Sequence, residues 1–351
     1  MLERFANARR EGERAMARLG VCVVGLGWIG RVHCEALASL GEQVALFVCS
    51  RDAGKAKEFA DRFNAVAWFT DYRHALQDDR VEVVDICLPH DLHLPYALQA
   101  FDADKHVLTE KPMARTLDEA RQMVQTARQR SKLLAVAENM RTYAHCVRAQ
   151  QLVYDGAIGE PFFVQVNHFA YYVPQGWRQP LASSGGGSLI DVGHHYVDLA
   201  VMLGGRVRTV FATTHRKTVT DIEGEDTAIM HLLYANGATG HLVTSFGMPG
   251  TPVAPLFLVA GTEGSVYYEQ HGRGLVWHRK GRDPEVVLPP PAMSGRDWWE
   301  ETIREGVRAF VQGASEGREQ PLSADDGLHD MAVIDAGYRS AQTGQPVRVE
   351  V

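Results

Sequence analysis

From Arg18 to about Asn139, short runs of β-branched and apolar residues recur between stretches of helical periodicity. The runs are VCVVG (21–25), QVALFVC (43–49), VEVVDICL (81–88), KHVLTE (105–110) and LLAVAE (133–138). Strands that alternate with helices imply crossover connections and a parallel sheet. One crossover helix is signalled by Thr116-Leu117-Asp118-Glu119, a capping box, followed by the apolar positions Ala120, Met123, Val124 and Ala127.

After about residue 150 the period changes to two. PFFVQVNHFAYY (161–172), VRTVFATTHR (207–216) and DTAIMHLLYA (226–235) alternate apolar with polar positions, and Asn236-Gly237 separates the last from ATGHLVTSF (238–246). Asn-Gly between two such runs is a strong hairpin signal. The second half therefore reads as a mostly antiparallel sheet with a few helices. No Pro/Gly/Ser-rich linker separates the halves, and a continuous helix around 143–154 is expected to join them. The expected division is an extension over 1–17, a first domain over 18–140 and a second over 141–351.

A chain of 351 residues exceeds what one hydrophobic core usually organises, so two domains agree with its length. With 45% hydrophobic and 23% charged residues the composition is that of a globular protein. The formal net charge of −7 and the lack of a Lys/Arg block speak against nucleic-acid and anionic-membrane partners, leaving small-molecule chemistry. Residues 1–19 are rich in Arg, Glu and Ala and resemble neither a secretory signal nor a membrane span. The five cysteines, Cys22, Cys34, Cys49, Cys87 and Cys146, show no CxxC pair and no metal-ligand spacing, so they read as small buried hydrophobes in a reducing cytoplasm.

The turn Gly25-Leu26-Gly27-Trp28-Ile29-Gly30 gains meaning from its place. It follows the strand at 21–24 and opens an amphipathic helix through Val32, Ala36, Leu37 and Leu40. In that context Gly25 makes a tight turn, Gly27 lets the backbone approach a pyrophosphate, and Gly30 allows helix and strand to pack closely. The helix N-terminus offers amides and partial positive charge to phosphates. A nicotinamide dinucleotide is the expected cofactor. The end of the second strand reads Ser50-Arg51-Asp52. Ser50 and Arg51 favour the 2′-phosphate of NADP, whereas an inward Asp52 would serve the ribose hydroxyls of NAD. NADP is slightly favoured over NAD.

Hydride transfer at a carbinol needs a group that moves the hydroxyl proton and a donor or cation that stabilises charge on the oxygen. Glu110-Lys111-Pro112 lies at the carboxyl end of an expected parallel strand, where α/β sheets bind ligands. A partly desolvated Lys111 there suits the donor role, although a surface lysine before a helix-opening proline has the same sequence. The second candidate is Gly185-Gly186-Gly187-Ser188-Leu189-Ile190-Asp191-Val192-Gly193-His194-His195-Tyr196-Val197-Asp198, a glycine-rich turn leading into a helix. On a helix Asp191, His195 and Asp198 would share a face opposite a packed stripe of Val192, Tyr196, Leu199 and Leu203. A carboxylate one turn from an imidazole fixes its tautomer and supports its protonated form. Metal ligation is disfavoured because His-x₃-His spacing is absent, and spacing alone does not choose between His194 and His195. His168, Tyr171, Tyr172, Trp177 and Arg178 precede this helix and offer aromatic faces to a sugar or cyclitol ring, or alternatively pack the sheet.

These residues resemble the Gfo/Idh/MocA oxidoreductase family. The resemblance runs from about residue 20 to the C-terminus through VVGLGWIGRVH (23–33), VDICLPHDLH (84–93), KHVLTEKPMA (105–114), NMR (139–141), GAIGEP (156–161), GWR (176–178), GGGSLIDVGHHYVDL (185–199) and GTEGSV (261–266). It implies an α/β fold: an N-terminal Rossmann domain with a doubly wound parallel sheet, then a C-terminal α/β domain with a large, mostly antiparallel open sheet. That sheet's outer face commonly makes dimers or tetramers, so a homodimer or homotetramer is expected. The implied catalytic set is Lys111, Asp191 and His195, with His195 chosen over His194 by the family's four-residue spacing. His195 would move the proton, Lys111 hydrogen-bond the reacting oxygen, and Asp191 orient the pair. The implied cofactor residues are Gly25, Gly27, Trp28, Ile29, Gly30, Ser50, Arg51, Leu88, Pro89, His93, Glu110 and Lys111. The substrate residues are Lys111, Arg141, His168, Tyr171, Trp177, Arg178, Asp191 and His195.

Departures from the family pattern bear on substrate more than on reaction: His90 where many members have Asn, Leu88 for a small residue, and Ala144-His145 where a proline is frequent. The implied activity is NAD(P)-dependent oxidation or reduction of a polyhydroxylated sugar, cyclitol or sugar derivative in the cytoplasm. The alternatives are a dihydrodiol or other small-alcohol dehydrogenase, an enzyme that recycles a tightly held cofactor between two sugars, and a non-catalytic dinucleotide-binding regulator.

Overall fold

The computed structural model describes residues 18–250, 254–269, 272–293, 295–316, 320 and 323–351. The extension expected over 1–17 lies outside the described residues. The chain divides into two compact units. One comprises the residues up to Ala114, Asp118–Thr142 and Trp299–Gly327; the other comprises Arg115–Leu117, Tyr143–Trp298 and Leu328–Val351.

In the first unit β1 (Leu19–Val24), β2 (Val44–Cys49), β3 (Ala67–Phe69), β4 (Val83–Ile86), β5 (His106–Glu110) and β6 (Leu134–Ala137) form one parallel sheet in the order β3-β2-β1-β4-β5-β6. This is the doubly wound Rossmann order, and strand order reverses at β1. All six residues of β1 are buried, as a central strand covered on both faces requires. The crossovers carry α1 (Trp28–Ala38), α2 (Ala53–Phe63), α3 (Tyr72–Gln77), α4 (His90–Asp102) and α5 (Leu117–Gln129). The edge strand β3 went unread in the sequence because its three residues are only partly buried or exposed and carry no strong pattern.

The second unit contains α6 (Ala144–Tyr154), β7 (Pro161–Phe169), α7 (Gly193–Gly204), β8 (Val207–His215), β9 (Thr227–Tyr234) and β10 (Thr239–Ser245). After these come β11 (Phe257–Gly261), β12 (Gly264–Glu269), β13 (Gly274–Arg279) and β14 (Glu285–Leu288). The chain ends with α8 (Gly295–Glu316), α9 (Ala324–Thr343) and β15 (Val347–Arg348). Among the described residues the second sheet has nine strands in the order β14-β13-β12-β11-β7-β10-β9-β8-β15. Its neighbours pair antiparallel except β7 with β10, which are parallel. The Asn236-Gly237 hairpin forms as read: β9 and β10 pair with Leu233 opposite Thr239, and Asn236 Oδ1 accepts the Ala238 N–H at 3.0 Å.

Most of α8 belongs to the first unit, although its place in sequence assigns it to residues 141–351. Val307, Phe310, Val311 and Ala314, spaced along one helix face, are buried in the same core as Leu19, Val21, Val48, Val83 and Leu108. The helix α7 packs on β7 and β10, and every residue from Gly193 to Gly204 is buried. This corrects the expected one-sided stripe: enclosed on all sides, the helix has no solvent face to be marked by polar residues.

Candidate active site

The glycine turn sits at the carboxyl end of β1. Gly25 has φ +98, a conformation natural to glycine, and its N–H donates to the Cys49 carbonyl at 3.1 Å. A Cβ on Gly30 would lie 2.0 Å from the Gly25 carbonyl oxygen, so helix α1 presses directly on the turn. A Cβ on Gly27 would meet nothing within 4 Å. Gly27 is the N-cap of α1, and no side chain caps the helix or places an acid in its first turn. Uncapped amides beside open space are what a pyrophosphate needs. Trp28 is exposed and its indole N–H donates to Glu300 Oε1 at 2.7 Å, while Arg31 reaches the same oxygen at 2.6 Å. Sequence reading missed Glu300 because α8 is remote in the chain.

At the end of β2, Ser50 is half-buried and Arg51 exposed. Asp52 is the N-cap of α2, its Oδ1 accepting the Lys55 N–H at 3.1 Å, and its own N–H points to Ser50 Oγ at 3.3 Å. The carboxylate expected as an alternative ribose ligand is thus engaged in helix capping.

Leu88, Pro89 and Lys111 are half-buried at the ends of β4 and β5. The Lys111-Pro112 peptide bond is cis. His93 was expected among the cofactor contacts, but it is fully buried, its ring between the carbonyl oxygens of Leu88 at 2.8 Å and Pro112 at 2.9 Å. Burial lowers its pKa despite those carbonyls. His93 therefore ties the two loops together and does not face a ligand. Glu110 is buried; its Oε2 accepts the Lys111 N–H at 3.1 Å and its Oε1 lies 3.0 Å from Nε2 of His33. The other nitrogen of His33 is 2.8 Å from Asp85 Oδ2. The signal for this group was an aspartate inside the apolar run VVDI and a histidine on the inward face of α1. Arg141, half-buried in the turn Asn139–Arg141, stands 3.8 Å from Asp326.

In the second unit Asp191 lies in the turn just ahead of α7, not on it, which corrects the shared helix face. The backbone there is wider than a helix: the Gly193 N–H donates to Ser188 O, five residues back, at 2.7 Å. Two unforeseen groups hold the turn. Buried Glu225 accepts the N–H groups of Gly187 at 3.1 Å and Leu189 at 2.8 Å and the Tyr338 hydroxyl at 3.0 Å. Ser188 Oγ meets Thr244 Oγ1 on β10 at 3.0 Å.

Asp191 and His195 are both buried. Arg178 donates through Nε to Asp191 Oδ2 at 3.1 Å and stacks on Trp177, with 4.3 Å from its guanidinium carbon to the ring centroid. His168 stacks on Tyr196, the neighbour of His195, at 4.7 Å, and Tyr172 packs on Phe246 at 5.1 Å. Tyr172 is partly exposed, and desolvation of its hydroxyl with the nearby Asp191 pushes the hydroxyl pKa well up. Tyr171 is exposed and bridges Gly247 through its backbone. The structure thus gathers Trp177, Arg178 and Asp191, and sets His168 against the helix that carries His195.

A parallel sheet of this order, with a glycine turn after its first strand and an uncapped helix behind it, defines a Rossmann-type dinucleotide-binding protein. Residues 19–138 match the profile described as an oxidoreductase family with an NAD-binding Rossmann fold, and residues 146–267 match the GFO/IDH/MocA C-terminal domain. The chain belongs to the GFO/IDH/MocA family of oxidoreductases. It is 28% identical to 1,5-anhydro-D-fructose reductase of Ensifer adhaerens, over 95% of this chain and 97% of that protein. It is 27% identical to D-apiose dehydrogenase of Paraburkholderia graminis, over 93% and 89%. The crystal structure of GenD2 from gentamicin A biosynthesis, in complex with NAD, superposes with a TM-score of 0.81 at 32% identity, covering 95% of this chain and 97% of that one. Among the described residues no helix is long and apolar enough to cross a membrane.

Proposed function

We propose that this chain is an NAD(P)-dependent dehydrogenase or reductase that acts on a carbinol or ketone carbon of a sugar, cyclitol or sugar derivative. The observation that carries the reading is the shared edge of one sheet: the glycine turn ends β1, and Lys111 directly follows β5 at the same carboxyl edge. Relatives named for anhydrofructose and apiose support a polyhydroxylated substrate.

When bound, the nicotinamide accepts or returns the hydride. The α1 amides and the open face at Gly27 hold the pyrophosphate. The ammonium of Lys111 hydrogen-bonds the reacting oxygen and stabilises charge on it. His195 takes the hydroxyl proton during oxidation and returns it during reduction. Asp191, held by Arg178, orients the reacting groups. The capping duty of Asp52 supports the preference for NADP, because it leaves Ser50 and Arg51 to meet the ribose substituent.

The test is turnover of aldoses, ketoses, anhydrosugars and cyclitols with NAD and NADP separately, for the wild type and for Lys111→Ala and His195→Ala. Both variants are expected to bind dinucleotide and turn over at least about 100-fold more slowly. Arg51→Ala should raise KM for NADP about tenfold, roughly one charge-assisted hydrogen bond, and leave NAD nearly unchanged. Equal activity in all three proteins sinks the catalytic assignment. Dinucleotide binding without turnover of any such compound supports a regulatory protein instead.

A further inference from the structure

We propose that His33 is a buried imidazolium that bridges Asp85 and Glu110 and thereby fixes the corner carrying Lys111, which makes it a positioning residue for the reaction. The functional half rests on Lys111 belonging to the catalytic machinery.

The geometry fits a doubly protonated ring. The His33 ring is fully buried on α1, with Nδ1 2.8 Å from Asp85 Oδ2 on β4 and Nε2 3.0 Å from Glu110 Oε1 on β5. An ionised carboxylate only accepts, and a neutral imidazole has a single N–H, so a neutral ring would require one of the two carboxyls to carry the proton instead. An imidazolium donates at both ends and lowers the charge of the buried group from two negatives to one. Two buried carboxylates without that cation would be strongly unfavourable.

Burial, the largest influence, opposes charging the ring, but Asp85 and Cys87 together outweigh it and the His33 pKa is raised well above the ordinary imidazole value. Cys87, just after β4, is pushed up to about 12 by burial, and burial likewise raises Cys34 on α1 well above the thiol range. Glu35, also on α1, is held by Arg31 and Arg304.

The bridge acts on Lys111 through Glu110. One oxygen of Glu110 meets the His33 ring and the other accepts the Lys111 N–H at 3.1 Å. With both oxygens engaged the carboxylate cannot rotate, and the backbone that aims the Lys111 side chain is tied to three elements of the sheet layer. A slip of about 1 Å at such a point is enough to cost on the order of 100-fold in rate.

His33, Asp85 and Cys87 also bring donor atoms within 4.8 Å of one another, a grouping that could hold a metal ion. The 2.8 Å separation of Nδ1 and Oδ2 favours a direct hydrogen bond. Two ligands each about 2 Å from a tetrahedral zinc stand about 3.3 Å apart.

The experiment is ¹⁵N NMR of the full chain with ring-labelled histidine, together with metal analysis and kinetics of His33→Gln. At about pH 8, where an ordinary imidazole with pKa of about 6.5 is neutral, one ring is expected to carry protons on both nitrogens. That signal should vanish in His33→Gln or, if that chain does not fold, shift in Glu110→Gln. His33→Gln should lower kcat about tenfold while dinucleotide Kd stays within about twofold, because both amide N–H groups sit on one nitrogen and cannot reach carboxylates at opposite ends of the site. The absence of any doubly protonated ring, or one equivalent of bound metal lost in His33→Gln, overturns the bridge. A doubly protonated ring in a chain whose Lys111→Ala variant keeps full activity leaves the bridge standing and removes its catalytic purpose.

Discussion

Arg178 holds Asp191: its Nε lies 3.1 Å from Oδ2 while the guanidinium rests on Trp177. The carboxylate is buried and the arginine 40% exposed, so the pair is half in solvent. Arg178→Met removes both the donor to Asp191 and the guanidinium that stacks on Trp177. The expected result is a fall in kcat/KM of about tenfold, with a stability loss of about 1 kcal/mol after allowing for solvent screening. Arg178→Lys should recover part of the activity. Steady-state kinetics and urea unfolding of the two variants decide it, and unchanged kinetics in Arg178→Met would show that Asp191 needs no such support.

Gly27 and Gly30 separate binding from packing. In Gly27→Ala the new methyl meets nothing in the protein and the backbone, at φ −76 and ψ −163, suits any residue. Stability should change by less than about 0.5 kcal/mol, whereas dinucleotide affinity should fall by about tenfold or more, some 1.4 kcal/mol. In Gly30→Ala the methyl is driven to 2.0 Å from the Gly25 carbonyl oxygen. Such overpacking destabilises by about 1–3 kcal/mol or more. Thermal melts with and without dinucleotide distinguish the two; unaltered binding in Gly27→Ala would place the pyrophosphate elsewhere.

His106 makes stability depend on acid. Its Nδ1 accepts the Leu133 N–H at 2.9 Å, which requires the neutral ring, and burial with Lys132 nearby lowers its pKa to about 4. The folded value lies below the ordinary value of about 6.5, so the unfolded chain takes up the proton first. The stabilisation is complete above about pH 6.5 and is lost as pH falls toward 4. The expected loss between about pH 7 and about pH 4.5 is roughly 2–3 kcal/mol. His106→Asn should flatten that part of the urea-unfolding profile; a variant with the wild-type acid slope would assign the slope to other groups.

The parallel strands of the first unit, the hairpin at Asn236-Gly237 and the glycine turn were all legible because each is a local pattern. A buried strand needs an apolar run, a tight hairpin needs residues that accept positive φ, and a pyrophosphate turn needs glycine where a Cβ would collide. Gly25 and Gly30 answer to neighbours within a few residues or on the adjoining strand. The three-residue strand β3 escaped because an edge position demands little of its side chains.

The sequence alone determined the two-part architecture, its dinucleotide turn and the residue types available for chemistry, because backbone propensity and hydrophobic period act over short spans. Only the tertiary structure decided which of those residues are spoken for. Asp52 caps a helix, His93 spans two carbonyls, and His33 joins Asp85 to Glu110. Asp191 leaves the helix that its spacing suggested and takes Arg178 as its partner, while Val307 and Phe310 carry α8 back to the first core. Each of these depends on hydrogen bonds or packing between residues distant along the chain or on a change of backbone path that periodicity does not encode, and such contacts exist only once the chain has closed its loops.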